Sequence, residues 1–185
     1  MAKLLMGLGT LQLHGLQTTL YRWLQANSMM NRDISPPLQA YCNCTLGTNF
    51  EPERVRSLRD ALATEFVDVF QEEGLVARAD APFCVKTQQQ DGYTTLLLPL
   101  ESKLLQSVRK RLREYLSREW GFRVHDGDHP ASITLVHNIP ATADEQIMEL
   151  CAMLVWPDFV TFTSAAIYTG GKQYKRFGQI PFKTQ

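Results

Sequence analysis

Two segments far apart in the chain, Ala40-Tyr41-Cys42-Asn43-Cys44-Thr45-Leu46 and Ala131-Ser132-Ile133-Thr134-Leu135-Val136, repeat one pattern of polar residues two positions apart between small or aliphatic ones. Successive side chains of a strand point to opposite faces. Asn43 with Thr45, and Ser132 with Thr134, are therefore expected to share one face each, while Cys44 and Ile133 turn to the other. Any fold open to this chain must hold two such strands with their apolar faces covered. If they are neighbours, both polar pairs converge on one cleft.

The elements around these strands repeat as well. The first core strand is expected over 38–46, after the polar stretch that ends in Ser35-Pro36-Pro37. Val55, Leu58, Leu62, Phe66 and Val69 then form an apolar stripe that predicts one helix running to near Gly74. Asp91-Gly92 separates two apolar runs, 83–88 and 93–98, and signals a hairpin. Leu104, Leu105, Val108, Leu112, Tyr115 and Leu116 predict a second helix, with Arg109, Lys110, Arg111, Arg113 and Arg118 on its outer side. After the strand at 131–137, Thr142 and Glu145 have the spacing of a capping box opening a third helix, which Pro157 stops. A last hairpin is expected from 159–169 and 172–182 around Gly170-Gly171. This order describes an α+β fold made of two ferredoxin-like lobes that form one bilobal domain with a central cleft.

The first 32 residues contain no acidic side chain, and Leu4, Leu5, Leu8, Leu11, Leu16, Leu20, Trp23 and Leu24 recur near helical spacing. The sequence thus divides into an N-terminal helical extension and linker, 1–37, and a main domain, 38–185. The helix is expected to pack on the domain or on a second copy or protein partner. Gly7, Gly9, His14 and Gly15 break its apolar run, so a membrane-spanning or targeting role is not expected.

Nineteen basic and nineteen acidic residues cancel, which removes any global attraction to nucleic acid or anionic membrane and leaves only local patches. Cys42, Cys44, Cys84 and Cys151 lack the paired spacing of a zinc site and fall in apolar segments. They read as buried thiols of a reducing, cytoplasmic compartment, with no metal and no cofactor expected.

The two strand motifs, their separation and the order of elements around them resemble the 2H phosphoesterase (2′-5′ RNA ligase-like or cyclic phosphodiesterase) superfamily over 38–182. Members of that family carry two His-x-Thr/Ser motifs on paired central strands and process RNA ends, cyclic nucleotides or cyclic oligonucleotides. This chain keeps Thr45 and Thr134 but has Asn43 and Ser132 where the family has histidine. The resemblance therefore implies a degenerate member that binds RNA or a cyclic nucleotide phosphodiester through Asn43, Thr45, Ser132 and Thr134. It also implies that the last hairpin borders the ligand, bringing in Tyr168, Lys172 and Tyr174. The glycine-containing end, from Gly170-Gly171-Lys172 to Phe177-Gly178, is also similar to the RNA-processing RAMP proteins of CRISPR systems, without their fuller glycine pattern.

Metal-free phosphodiester hydrolysis needs one group to take a proton and another to return one, and histidine suits both near neutral pH. Asparagine and serine donate hydrogen bonds to phosphate but do not shuttle protons usefully. If turnover survives, the base expected is His129, in a loop with His125 and Asp128 ahead of the second motif strand. His137, three residues past Thr134, is expected on the opposite face of an unbroken strand. Three readings stay open: a binding module, a phosphodiesterase with a displaced base, and an interaction or assembly protein that uses the N-terminal helix.

Overall fold

The computed structural model describes the backbone of residues 2–50, 54–71, 75–87, 91–124, 130–170 and 174–181, and the side chains of 6–42, 54, 56–69, 75–87, 91–123, 130–167 and 180. Its α+β architecture is one curled, antiparallel sheet with five helices among the described residues. In chain order the elements are β1 (Ala2–Thr10), α1 (His14–Ala26), β2 (Ala40–Phe50), α2 (Val55–Glu65), α3 (Val67–Gln71), β3 (Val76–Ala79), β4 (Phe83–Lys86) and β5 (Tyr93–Glu101). They continue with α4 (Lys103–Trp120), β6 (Arg123–Val124), β7 (Ser132–Pro140), α5 (Asp144–Met153), β8 (Phe159–Thr161), β9 (Ser164–Gly170) and β10 (Tyr174–Pro181). The strands lie in the order β10-β9-β1-β2-β7-β5-β3-β8, with β4 on β5 and β6 on β2.

The N-terminal segment departs from the expected helical extension. Residues 2–10 form a strand deep in the sheet, paired with β2 on one side and β9 on the other. Glycine is a poor helix former, and Gly7 and Gly9 alternate with Met6 and Leu8, which are buried. That is a period of two. Gly9 also meets a packing demand: a Cβ there stands 2.9 Å from Gln39 Oε1, Ser164 Oγ and the Tyr41 ring.

The predicted helix from Val55 toward Gly74 is instead two, broken at Phe66, whose ring is buried and meets Tyr115 edge-on at 5.6 Å. The 159–169 run divides at Phe162-Thr163 into β8 and β9, and the short strands β3 and β6 carry too few residues to show a period in the sequence. The capping box does not form. Residues 141–143 make a 3₁₀ turn and α5 starts at Asp144 with no side-chain cap, while Asp144 accepts a hydrogen bond from Thr94 Oγ1 at 2.5 Å. α4 follows the rules more closely. Ser102 Oγ accepts from the Leu105 amide at 3.2 Å, and Gly121 closes the helix in the left-handed region at φ 67°.

Apolar residues of the central strands, including Met6, Leu8, Cys42, Ile133, Leu96 and Leu98, pack with Leu13, Leu20 and Leu24 of α1's flank and face, and with Leu105, Leu112 and Leu116 of α4, in one core. The apolar face of α1 is therefore used inside the molecule. β8 would be a bare sheet edge but for Gln12, whose side chain donates to Phe159 O at 2.9 Å and accepts from the Thr161 amide at 3.2 Å. The amide stands where another strand would pair.

A candidate ligand cleft on the central strands

β2 and β7 are neighbours, with Cys42 opposite Ile133. Antiparallel geometry about that pair sets Asn43 beside Ser132 and Tyr41 beside Thr134. The flanking registers extend these into two rows across the sheet. One runs Ala166, Gly7, Asn43, Ser132, Pro99; the other runs Ser164, Gly9, Tyr41, Thr134, Leu97. The sheet thus brings together the two motif strands that the sequence singles out.

Ser132 and Thr134 are partly exposed between buried Ile133 and Leu135, as strict alternation requires. The side chains of Asn43 and Thr45 lie outside the described residues. Their backbone carries a register shift: Met6 pairs with Thr45 and Gly7 with Asn43, leaving Cys44 as the additional residue. Simple alternation therefore does not fix how Thr45 stands relative to Asn43. Tyr168 pairs with Leu5 and Arg176, and Tyr174 with Gly170, so both belong to the β9–β10 pair beside β1, while their side chains lie outside the described residues. His125, Asp128, His129 and Lys172 are wholly outside them.

Beside the motif strands, Tyr41 lies against the glycines of β1, and its hydroxyl donates to Gln39 Oε1 at 2.9 Å. Ser164 Oγ donates to the same oxygen at 3.4 Å. The alternating glycines leave the space that Tyr41 and Gln39 fill.

β7 does not remain regular. Leu98 pairs with Ile133 and Leu97 with Thr134, but Leu96 pairs with Val136 and Thr94 with Ile139. One step on β5 thus spans two on β7, and the next two span three. Leu135 and Val136 are both buried, as in a bulge whose two residues turn to the same side, and Asn138 takes a left-handed conformation at φ 55° in the second irregularity. The carbonyl of Leu135 is not left bare. Gln17, fully buried on α1, donates Nε2 to it at 3.0 Å, while its own Oε1 has no partner.

The bulge reverses the expected facing of His137. Val136 shares the buried face with Ile133, so the next residue, His137, returns to the face of Ser132 and Thr134, where it is exposed. Partial burial of its ring among the strands pushes its pKa below the ordinary histidine value.

Behind the floor, Cys42 is sealed, and burial pushes its thiol up to about 11 despite the opposing pull of the Arg109 charge and the Ser132 backbone. It is a packing group, not a nucleophile. Arg109 departs from its expected place on the outer side of α4: it is buried behind the sheet and donates from Nη1 to Gln106 Oε1 at 3.1 Å. Arg111 is also engaged, paired with Asp68 at 2.7 Å and lying over the Phe66 ring at 4.9 Å. A separate pocket of about 470 Å³, lined by residues that include Arg78, Asp80, Trp156 and Asp158, lies away from the motif strands.

No family model matches the sequence, and no curated protein does. Among solved structures, one described as the crystal structure of a phosphoesterase matches with a TM-score of 0.58, covering 98% of each chain at 11% identity. None of the helices among the described residues is long and apolar enough to cross a membrane. The chain therefore has a phosphoesterase-like α+β fold, with its two strand motifs side by side at the centre of the sheet.

Proposed function

We propose that this chain binds a phosphodiester, as RNA or a cyclic nucleotide, on the half-exposed face of β2 and β7 and holds it rather than turning it over. On this reading the curled sheet is two ferredoxin-like lobes that meet at the β2–β7 pair, and the cleft runs between them. The observation that carries the proposal is the pairing of Cys42 with Ile133, which makes one surface out of two motifs distant in sequence. Hydroxyls that stand partly exposed above an otherwise apolar strand are suited to receiving an anion. The buried Arg109 cation behind β2 adds a favourable field, since charge acts more strongly where water is excluded.

Proton transfer is what the motif positions lack, because Asn43 and Ser132 replace two imidazoles. Each hydrogen bond to a charged phosphate is worth about 1.5–3 kcal/mol, enough to give affinity without chemistry. The test is isothermal titration with 2′,3′-cyclic and 3′,5′-cyclic nucleotides, cyclic dinucleotides and short RNA, with product formation followed on the same samples. Binding without products is expected, weakened about tenfold or more by Ser132→Ala with Thr134→Ala. Unchanged affinity in that folded double variant sinks the cleft. Product formation overturns the non-catalytic half of the proposal and directs attention to His129 and the enzyme reading.

A further inference from the structure

Resting on that reading, we propose that His137 is a ligand-contacting residue of the same cleft, delivered to it by the β7 bulge, and that its ring recognises the phosphate of a nucleotide held by Ser132 and Thr134. The argument is one of register. In an unbroken strand a residue three places beyond Thr134 turns to the core. The pairs Leu98–Ile133 and Leu96–Val136 put Ile133 and Val136 on one buried face although three positions separate them, so the strand has gained a residue between. Val136 and His137 change sides until the second irregularity restores the phase at Ile139, and His137 is exposed where the face of Thr134 continues.

The bulge is also built in rather than accidental. Gln17 is fully buried on α1, and its Nε2 meets the carbonyl of the inserted Leu135, which would otherwise be buried outside the ladder. Because the bulge absorbs one residue, Thr134 to His137 advances only two strand steps, about 7 Å, a gap the imidazole arm closes toward a phosphate held by Ser132 and Thr134. Among the described residues, the surroundings of His137 on this face carry little competing charge. β5 brings Tyr93, Thr95, Leu97 and Glu101; β4 brings Phe83, Val85 and Thr87; β2 brings Tyr41. Tyr93, Glu101 and Tyr41 are the titratable groups among these described residues, and Glu101 stands at the far end of β5. A ring nitrogen that gains a proton as pH falls adds a charge-assisted hydrogen bond to phosphate.

The experiment titrates uridine 2′,3′-cyclic monophosphate, whose own charge is constant across the range, into the full chain from pH 8 to pH 5.5. Wild type, His137→Gln, His137→Ala and the Ser132→Ala/Thr134→Ala double variant are compared, with melting temperatures confirming that each folds. Affinity for wild type is expected to rise by about fivefold or more as pH falls. Both His137 variants should flatten that profile to within about twofold while still binding at pH 8. A pH profile unchanged in His137→Gln overturns the His137 inference and leaves the cleft reading standing, provided the double variant loses binding. Retained binding in the double variant, or none by wild type, overturns both. Ring proton resonances of His137 give a second readout: they must shift on titration with the same nucleotide, and resonances that stay still count against contact.

Discussion

The two faces of β7 share a backbone and differ in nearly everything else. On one face Ile133, Leu135 and Val136 are sealed against Cys42, Leu96 and Leu98, while on the other Ser132, Thr134 and His137 keep contact with solvent. The first face is governed by volume, because every atom there has neighbours whose contacts are lost on truncation. The second is free to vary in stability terms and is where ligand chemistry can sit. Burial thus separates residues that hold the fold from residues available for function, even when they adjoin in sequence.

The sharpest way to break this comparison is to truncate the sealed face. Ile133→Ala should cost about 2–5 kcal/mol in denaturant unfolding, since the side chain is fully buried between β2 and β5. A loss comparable to that of a surface substitution would mean that the two faces are not distinct. Gly9→Ala should cost about 1–3 kcal/mol, because its Cβ stands 2.9 Å from three atoms and the Tyr41 ring has to move. Tyr41 fluorescence in a variant lacking the other fluorophores near it should register that displacement. Gln17→Ala removes the donor to the bulge carbonyl and should cost about 1–3 kcal/mol, with the His137 ring resonances moving as the bulge relaxes.

The smallest effect is one of pH. Burial pushes Cys42, Cys84 and Cys151 up to about 11, from a reference of 9.0, with the Asp144 charge also raising Cys84. The folded state thus binds these protons more tightly than the unfolded one does. Their contribution is complete below pH 9, and it is lost as pH rises toward 11. Urea midpoints should fall across that window, less steeply in Cys42→Ala; identical slopes would remove the sealed thiol from the account.

What the sequence reveals follows the same division. β7, β5 and α4 are legible because their apolar periods are long enough to count, the β9–β10 pair because Gly170-Gly171 marks its turn, and the likeness of the two motif strands is visible without any structure. β1 is harder to see because glycine replaces one of its faces, so Met6 and Leu8 lose the polar alternation that marks a strand; the alternating Gly7 and Gly9 were the available sign. Arg109 is misplaced by composition alone, since a charged residue is ordinarily outside and only the packing of α4 on β2 puts this one within. The facing of His137 was also written in the chain. Leu135-Val136 doubles the apolar residue and His137-Asn138 doubles the polar one, and two doublings in an alternating strand mark irregularities in its pairing.

The central claim is that the solvent-facing side of the β2–β7 pair is where a phosphodiester binds. Amide and side-chain chemical-shift mapping with uridine 2′,3′-cyclic monophosphate tests it most directly, because it locates the ligand without assuming which residues matter. The account predicts the largest shifts at Ser132, Thr134 and His137, with Tyr41 next and the pocket beside Trp156 unchanged. Shifts concentrated around Arg78 and Trp156, with β7 silent, would contradict it.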